Sequence, residues 1–222
     1  MTQEQTCVVV ADTQALFREA VTKSIERMPD FRVVGTAGDE RQAIAIVETT
    51  RPDVVLVADS LDHGGQDAAR LIRERAPQSR VILLTEREDV DALISALEIG
   101  VRGCVTKSSK VPELIESLNA VARGETVIPR PMVGGVIDGL IARDRERQEA
   151  LQKIAKLTPR EREVLALLAE GLNSQKIASR LVISPETART HIQKILNKLG
   201  IHSRLAAATF AAQPMRLQLL SM

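Results

Sequence analysis

The sequence SPETARTHIQKILNKL, residues 184–199, has the pattern of an amphipathic helix. Ser184 is a residue type that caps helices, Pro185 suits the first helical position, and apolar residues then recur at helical spacing. The apolar positions are Ala188, Ile192, Ile195, Leu196 and Leu199. The opposite face carries Glu186, Arg189, Thr190, Gln193 and Lys194, side chains of types that hydrogen-bond to base edges or phosphates. We therefore predict a helix with a polar face suited to nucleic acid.

Two further helices are predicted immediately before this one. Thr158-Pro159-Arg160-Glu161 has a capping-box pattern with proline at the first helical position, and an apolar stripe follows it. Gly171 ends that helix, and Asn173 can cap the next. Two short helices joined by a tight turn, with the second one reading DNA, form a helix-turn-helix. A last helix is predicted over 203–212, so residues 157–222 are expected to form an all-α four-helix domain.

Residues 131–156 are predicted to be a linker that contains a helix. The segment VGGVIDG, residues 133–139, is rich in glycine, and a highly charged segment follows it. We interpret the first part as a flexible joint and the second as a solvated helix.

The N-terminal 130 residues alternate between short apolar runs and segments with helical periodicity. Strands are predicted at 7–11, 32–36, 54–57, 81–84 and 103–105, and helices at 16–28, 40–49, 66–75, 90–99 and 112–122. Near-continuous apolar strands that alternate with helices are typical of a parallel sheet covered on both faces. The fold class is therefore α/β, with a five-stranded, parallel, doubly wound domain at residues 1–130 before the helical domain.

Composition restricts the classes of function. Aromatic residues make up only 1% of the chain, which disfavours stacking on single-stranded nucleic acid. The formal charge of +1 divides into −5 over residues 1–130 and +4 over residues 158–212. This split predicts an acidic regulatory domain and a basic binding domain.

The cysteines and the apolar runs allow predictions of the cellular location of the protein and of metal binding. Cys7 and Cys104 lie in separate apolar runs without metal-ligand spacing, so we expect reduced core cysteines in a cytoplasmic protein. The apolar runs are shorter than the roughly 20 residues that span a bilayer, so no membrane association is expected. No metal site, cofactor or enzymatic constellation is predicted.

The C-terminal residues resemble the LuxR/NarL-type DNA-binding domain. The resemblance rests on the segment LTPREREVL at 157–165, on Ile177-Ala178, on 187–199 and on Ser203-Arg204. It implies that base edges are contacted by Arg189, Thr190 and Gln193, and that phosphates are approached by Thr187, His191, Lys194, Lys176 and Lys198. For His191 and the lysines, a structural or merely solvated role is the alternative. The resemblance also implies a dimer interface on the last helix, at Leu205, Ala206, Thr209 and Phe210.

The N-terminal half resembles the receiver domain of NarL/FixJ-type response regulators. The segments ADTQALFRE at 11–19 and PDVVLV at 52–57 carry the resemblance, and Thr85 and Lys107 fall on the family's switch hydroxyl and conserved lysine. Three parts of a working receiver are missing. Ala58 stands at the phosphoacceptor position, Thr13 at the second acidic position and Cys104 at the aromatic switch position. The receiver is therefore expected to be degenerate.

Asp59 could serve as an acceptor only if the strand before it carried a bulge. Side chains alternate across a strand, so a carboxylate one residue late normally lies on the other face. For the remnant pocket of Asp12, Thr13, Thr85 and Lys107, we favour a closed ion pair between Lys107 and Asp12. The alternative is a pocket that binds a small acidic metabolite through Lys107 and Thr85.

Together these features predict a sequence-specific regulator of transcription that binds double-stranded DNA and is not switched by phosphorylation. It is expected to act as a homodimer or as a heterodimer with a related response regulator. More narrowly, the chain resembles orphan actinobacterial regulators of the WhiI type. The rival interpretation is a protein-interaction regulator that modulates a related response regulator and binds little DNA itself. An enzyme is not expected, because paired carboxylates, a nucleophile–histidine set and a metal cluster are not found in the sequence.

Overall fold

A computed structural model describes residues 5–61 and 64–212 of the 222-residue chain. The chain forms two compact units, and the boundary between them falls between Leu140 and Ile141. The division falls inside the segment that the sequence assigns to a linker.

The first unit contains a parallel sheet in the order β2-β1-β3-β4-β5. The strands are β1 (Thr6–Ala11), β2 (Phe31–Ala37), β3 (Val54–Ala58), β4 (Arg80–Thr85) and β5 (Gly103–Thr106). The helices are α1 (Ala15–Glu26), α2 (Glu40–Thr50), α3 (Gly65–Arg75), α4 (Val90–Ile99) and α5 (Val111–Ala122). The predicted five-stranded α/β architecture is confirmed, with bounds that differ by at most two residues.

The apolar strands form two separate cores because their side chains alternate between the two faces of the sheet. Val55 and Val57 of β3 pack into the core that also holds residues of α2 and α3. Val54 and Leu56 pack into the core formed with α1 and α5. Both faces are therefore buried, and functional side chains are left to the carboxyl edge of the sheet.

After α5 the chain forms a short 3-10 helix, Arg130–Met132, and then helix α6 (Val133–Ala155). The interpretation of 133–139 as a flexible joint is wrong, because these residues form the first turns of α6. The glycines allow a close approach between neighbouring helices. A Cβ at Gly139 would lie 2.2 Å from Ile94 Cδ1, and one at Gly135 would lie 3.1 Å from Val90 Cγ2.

The second unit contains the four predicted C-terminal helices: α7 (Pro159–Ala169), α8 (Ser174–Leu181), α9 (Pro185–Leu199) and α10 (Arg204–Ala212). Each of the three predicted caps is made. The Thr158 side chain accepts from Glu161 N, that of Asn173 from Lys176 N, and that of Ser184 from Thr187 N. The apolar face of α9 is buried against α7, α8 and α10, and its five members are Ala188, Ile192, Ile195, Leu196 and Leu199.

Candidate functional site

A buried ion pair closes the centre of the sheet's carboxyl edge. Lys107 Nζ lies 2.7 Å from Asp12 Oδ2, and the exposed fraction is 8% for the Lys107 side chain and 0% for that of Asp12. The other carboxylate oxygen of Asp12 accepts a hydrogen bond from Gln14 N at 2.8 Å. The Lys107 ammonium also lies 4.9 Å from the centre of the Phe17 ring. The arrangement matches the closed pair favoured from the sequence.

The residues at this edge do not fit a magnesium ion. Mg²⁺ favours carboxylate ligands in octahedral geometry, whereas the one carboxylate at the end of β1, Asp12, is already engaged by Lys107 and by Gln14 N. Thr13 supplies a hydroxyl, and its Oγ1 lies 3.3 Å from Ser60 Oγ. In the described residues, no group of three or more histidines, cysteines or carboxylates is arranged to hold a metal ion.

The phosphoacceptor position is held by Ala58, which is fully buried. Strand β3 pairs with β1 and β4 in continuous register through its last residues, so the bulge that Asp59 would need is not present in β3. Asp59 lines a cavity together with Leu83 and Cys104. Since side chains alternate along a regular strand, Asp59 is expected on the face of Val57 and not on that of Ala58.

Of the two switch positions, Thr85 carries the hydroxyl that the resemblance implies, whereas Cys104 stands in place of the aromatic residue. Thr85 Oγ1 donates a hydrogen bond to the backbone oxygen of Arg87 at 2.7 Å, so its hydroxyl is held within its own turn. Cys104 is only 4% exposed. Burial raises the pKa of the Cys104 thiol to about 11, and the nearby charges of Asp59 and Glu88 act in the same direction. The thiol is therefore protonated and weakly nucleophilic at neutral pH.

The polar face of α9 is open to solvent. Arg189, Thr190, Gln193 and Lys194 are all exposed. Arg189 Nη1 lies 2.8 Å from Glu186 Oε2 one turn earlier, and 60% of the Arg189 side chain is exposed. Gln193 donates to Asn197 Oδ1 at 3.2 Å. Exposed intrahelical contacts of this kind are weak, so these side chains are available to a ligand.

The predicted phosphate-contacting residues occupy different environments. Lys176 and Lys194 are exposed, and Thr187 is exposed with its hydroxyl 2.8 Å from Ser184 Oγ. Among the described residues, the buried Nδ1 of His191 has no hydrogen-bond partner. The side chain is half-buried, which favours the structural alternative. Lys198 Nζ donates to Glu161 Oε2 at 2.6 Å. Only 4% of the Glu161 side chain is exposed, so Lys198 stabilises the domain by pairing with a buried carboxylate.

The Glu161 carboxylate connects α7 to the carboxyl-terminal part of α9, a contact that sequence reasoning missed. Its Oε2 also accepts from Thr158 N at 2.8 Å. Burial by itself raises the pKa of Glu161, but hydrogen bonds from Lys198 and Thr158 outweigh burial, so the pKa lies below its ordinary value of 4.5. A lowered folded-state pKa stabilises the domain above pH 4.5, and this contribution is lost as the pH falls through the folded-state value.

We expect Lys198→Ala to lower the free energy of unfolding at neutral pH by about 2 kcal/mol. This is less than a fully buried pair contributes, because Lys198 remains partly exposed. The difference from the unsubstituted chain should shrink as the pH falls below 4.5 toward the lowered folded-state pKa of Glu161, because a protonated carboxyl no longer needs the ammonium. Urea unfolding across this pH range measures both effects. Lys194→Ala, which alters an exposed lysine of the same helix, is the matched control, and an equal loss there would contradict the assignment.

The predicted dimer helix, α10, presents a mixed surface. Leu205 is 78% exposed, and Ala206 and Thr209 are also exposed. Phe210 is half-buried and packs against the core of its own domain. The exposed part of the predicted interface is therefore Leu205, Ala206 and Thr209, whereas Phe210 also supports the fold of α10.

Two family models match the chain. The model of bacterial regulatory proteins of the luxR family matches residues 155–211, and that of the response regulator receiver domain matches residues 8–119. The uncharacterized transcriptional regulatory protein YxjL of Bacillus subtilis (strain 168) is 32% identical over 212 residues, covering 95% of this chain and 97% of that protein. The probable transcriptional regulatory protein NarL of Mycobacterium tuberculosis (strain ATCC 25618 / H37Rv) is 32% identical over 218 residues, covering 98% and 97%.

Solved structures share the fold. The crystal structure of a LuxR-family two-component response regulator from Aurantimonas sp. SI85-9A1 has a TM-score of 0.58 at 27% identity, covering 62% of this chain and 99% of that chain. The structure of the RcsB–DNA complex has a TM-score of 0.55 at 23% identity, covering 95% and 100%. The narrower resemblance to WhiI-type regulators stays a prediction. Among residues 5–61 and 64–212, the helices are too short or too polar to cross a membrane.

Proposed function

Because this chain belongs to the response regulators that join a receiver domain to a LuxR-type DNA-binding domain, we propose that it controls transcription as a dimer whose receiver is not switched by aspartyl phosphorylation. The observation that carries the proposal is the contrast between the two halves of the chain. The exposed face of α9 keeps the groups that DNA reading requires, whereas the sheet edge has lost its acceptor and holds a closed ion pair.

We propose that α9 enters the major groove of double-stranded DNA with its exposed face toward the bases. Arg189, Thr190 and Gln193 then contact base edges, and Thr187, Lys194 and Lys176 contact phosphates. Lys198 is assigned to the Glu161 pair and His191 to the fold of the domain. The surplus of basic over acidic side chains in residues 158–212 supports this orientation, because DNA binding depends on phosphate neutralisation.

Dimerisation is proposed through the exposed residues Leu205, Ala206 and Thr209 of α10. Small side chains at such a surface allow two helices to approach closely, and Leu205 supplies an exposed apolar group. The partner is a second copy or a related response regulator in the cytoplasm, where the DNA lies. A ligand at Lys107 is not part of the proposal, since the ammonium is already engaged by Asp12.

Incubation of the full chain with acetyl phosphate and Mg²⁺ is expected to leave its intact mass unchanged. The physical reason is that Ala58 offers no nucleophile and that the Asp12 carboxylate already pairs with the Lys107 ammonium. Intact-mass spectrometry measures the outcome, with a phosphorylatable response regulator in the same reaction to verify the reagent. A stoichiometric phosphoryl adduct that disappears in Asp59→Asn would overturn the phosphorylation-independent receiver.

The rival function, a protein-interaction regulator with little DNA binding, predicts a different result in DNA selection. The full chain would then recover no common sequence from a random pool of duplexes. Recovery of one motif with two related half-sites supports the dimeric DNA-binding regulator.

A further inference from the structure

Glu186 lies in the first turn of α9, on the same polar face as the residues assigned to base reading. Its side chain is 77% exposed, and its Oε2 accepts a hydrogen bond from Arg189 Nη1 at 2.8 Å. Its backbone oxygen accepts a hydrogen bond from Thr190 Oγ1 at 3.0 Å. Glu186 therefore contacts two of the three side chains that we assign to base edges.

The negative charge of Glu186 is unfavourable for DNA binding. Glu186 is the one acidic residue in the sequence of α9, and phosphates repel a carboxylate that approaches them. An acidic residue in the first turn does favour the helix, because the helix N-terminus carries a partial positive charge. Both effects follow from the charge alone, so neither depends on the contact between the carboxylate and Arg189.

The contact with Arg189 restricts where the guanidinium can reach. In the free protein the pair is exposed and contributes little, but a protein–DNA interface excludes the water that screens it. With Nη1 on the Glu186 carboxylate, Nη2 and Nε of the planar guanidinium still form a fork that matches O6 and N7 of guanine. To reach a phosphate instead, Arg189 would have to leave a desolvated carboxylate without a partner, which costs free energy.

We propose that Glu186 is a positioning residue that determines base specificity, because it holds the Arg189 guanidinium toward a guanine and away from the phosphates. This inference rests on the proposed function, since it concerns the same DNA-reading face of α9. Glu186 then lowers the affinity for unrelated DNA and increases the difference in affinity between the operator and unrelated DNA.

The test uses the full chain, the duplex that selection recovers, and its three single-base-pair variants at the position where Arg189→Ala relaxes the base preference. We expect Glu186→Ala to lower the preference for guanine there by about fivefold or more, as for side chains in contact. Affinity for an unrelated duplex should rise, because a negative charge is removed. Fluorescence anisotropy at one fixed salt concentration measures both quantities.

Glu163→Ala is the matched control. It removes the same charge from an exposed pair, in which Arg160 Nη1 lies 2.7 Å from Glu163 Oε2, but it does so on α7. The base preference should therefore stay at that of the unsubstituted chain. In the Arg189→Ala background, Glu186→Ala should not lower the preference further, because the side chain that it positions is already gone.

Glu186→Asp separates the contact from the charge. Aspartate keeps the negative charge at the helix N-terminus, but its side chain is one methylene shorter and does not reach Arg189 in the same way. The preference for guanine should fall, while affinity for the unrelated duplex stays near that of the unsubstituted chain. Circular dichroism verifies the fold of each variant, and Glu186→Asp replaces Glu186→Ala if the alanine variant does not fold.

An unchanged preference in the folded Glu186 variants overturns the inference, and so does an equal loss in Glu163→Ala or a further loss when Glu186→Ala is added to Arg189→Ala. If Arg189→Ala alone relaxes the preference, the DNA-reading function stands and only the role of Glu186 is refuted. If selection recovers no common motif, both proposals are refuted.

Discussion

Replacing Arg189 with alanine is expected to lower affinity for the selected operator by about one to two orders of magnitude and to relax the base preference at one position. Arg189 lies on the exposed face of α9, where its guanidinium makes an exposed contact with Glu186. A bidentate arginine–guanine contact contributes about 1–3 kcal/mol of discrimination, which corresponds to this loss. Fluorescence anisotropy with the operator and its single-base variants measures both quantities.

The salt dependence of binding separates base reading from charge neutralisation. If Arg189 contacts a base, Arg189→Ala should keep the slope of log affinity against log salt, whereas Lys194→Ala should reduce the slope by about one. Arg123→Ala, in an exposed receiver pair with Glu125, is the control for loss of positive charge. Unchanged affinity and base preference after Arg189→Ala would refute the assignment of Arg189 as a reading residue.

Replacing Lys107 with methionine is expected to destabilise the receiver by about 3–5 kcal/mol, since it leaves the Asp12 carboxylate buried without a counter-charge. Asp12 is fully buried, so water cannot replace the lost ammonium. Urea unfolding of the full chain, followed by a probe of the α/β unit, measures the loss. Lys23→Met breaks an exposed pair with Glu19 and should change stability little.

The double variant Asp12→Asn, Lys107→Met tests whether the unpaired charge of Asp12 explains the stability that Lys107→Met loses. With the charge at position 12 removed, the methionine fills the space of the lysine stem, and the introduced amide oxygen can still accept from Gln14 N. The double variant should regain most of the stability that Lys107→Met loses, because two neutral side chains leave no buried charge without a partner. A double variant as unstable as Lys107→Met alone would show that packing rather than charge explains the loss.

Local sequence patterns were sufficient to predict the secondary structure and the exposed polar face of α9. The apolar runs of β1 to β5, the caps at Thr158, Asn173 and Ser184, and the apolar stripe of α9 are properties of neighbouring residues, and each predicted element is present. The absence of an acceptor at Ala58 was equally visible, because the residue type alone excludes phosphoryl chemistry.

Tertiary structure decided the roles that depend on residues far apart in the chain. Lys198 has the sequence context of a phosphate contact, yet it pairs with Glu161, 37 positions earlier. The regular register of β3 with its neighbours decided which way Asp59 faces, since alternation fixes the face once a bulge is lacking. The glycines of α6 led to the wrong prediction of a flexible joint, because glycine weakens a helix locally and the sequence pattern shows only this local effect. Their contact with α4 appears only when the helices are packed together, because closeness between distant segments is set by the whole fold.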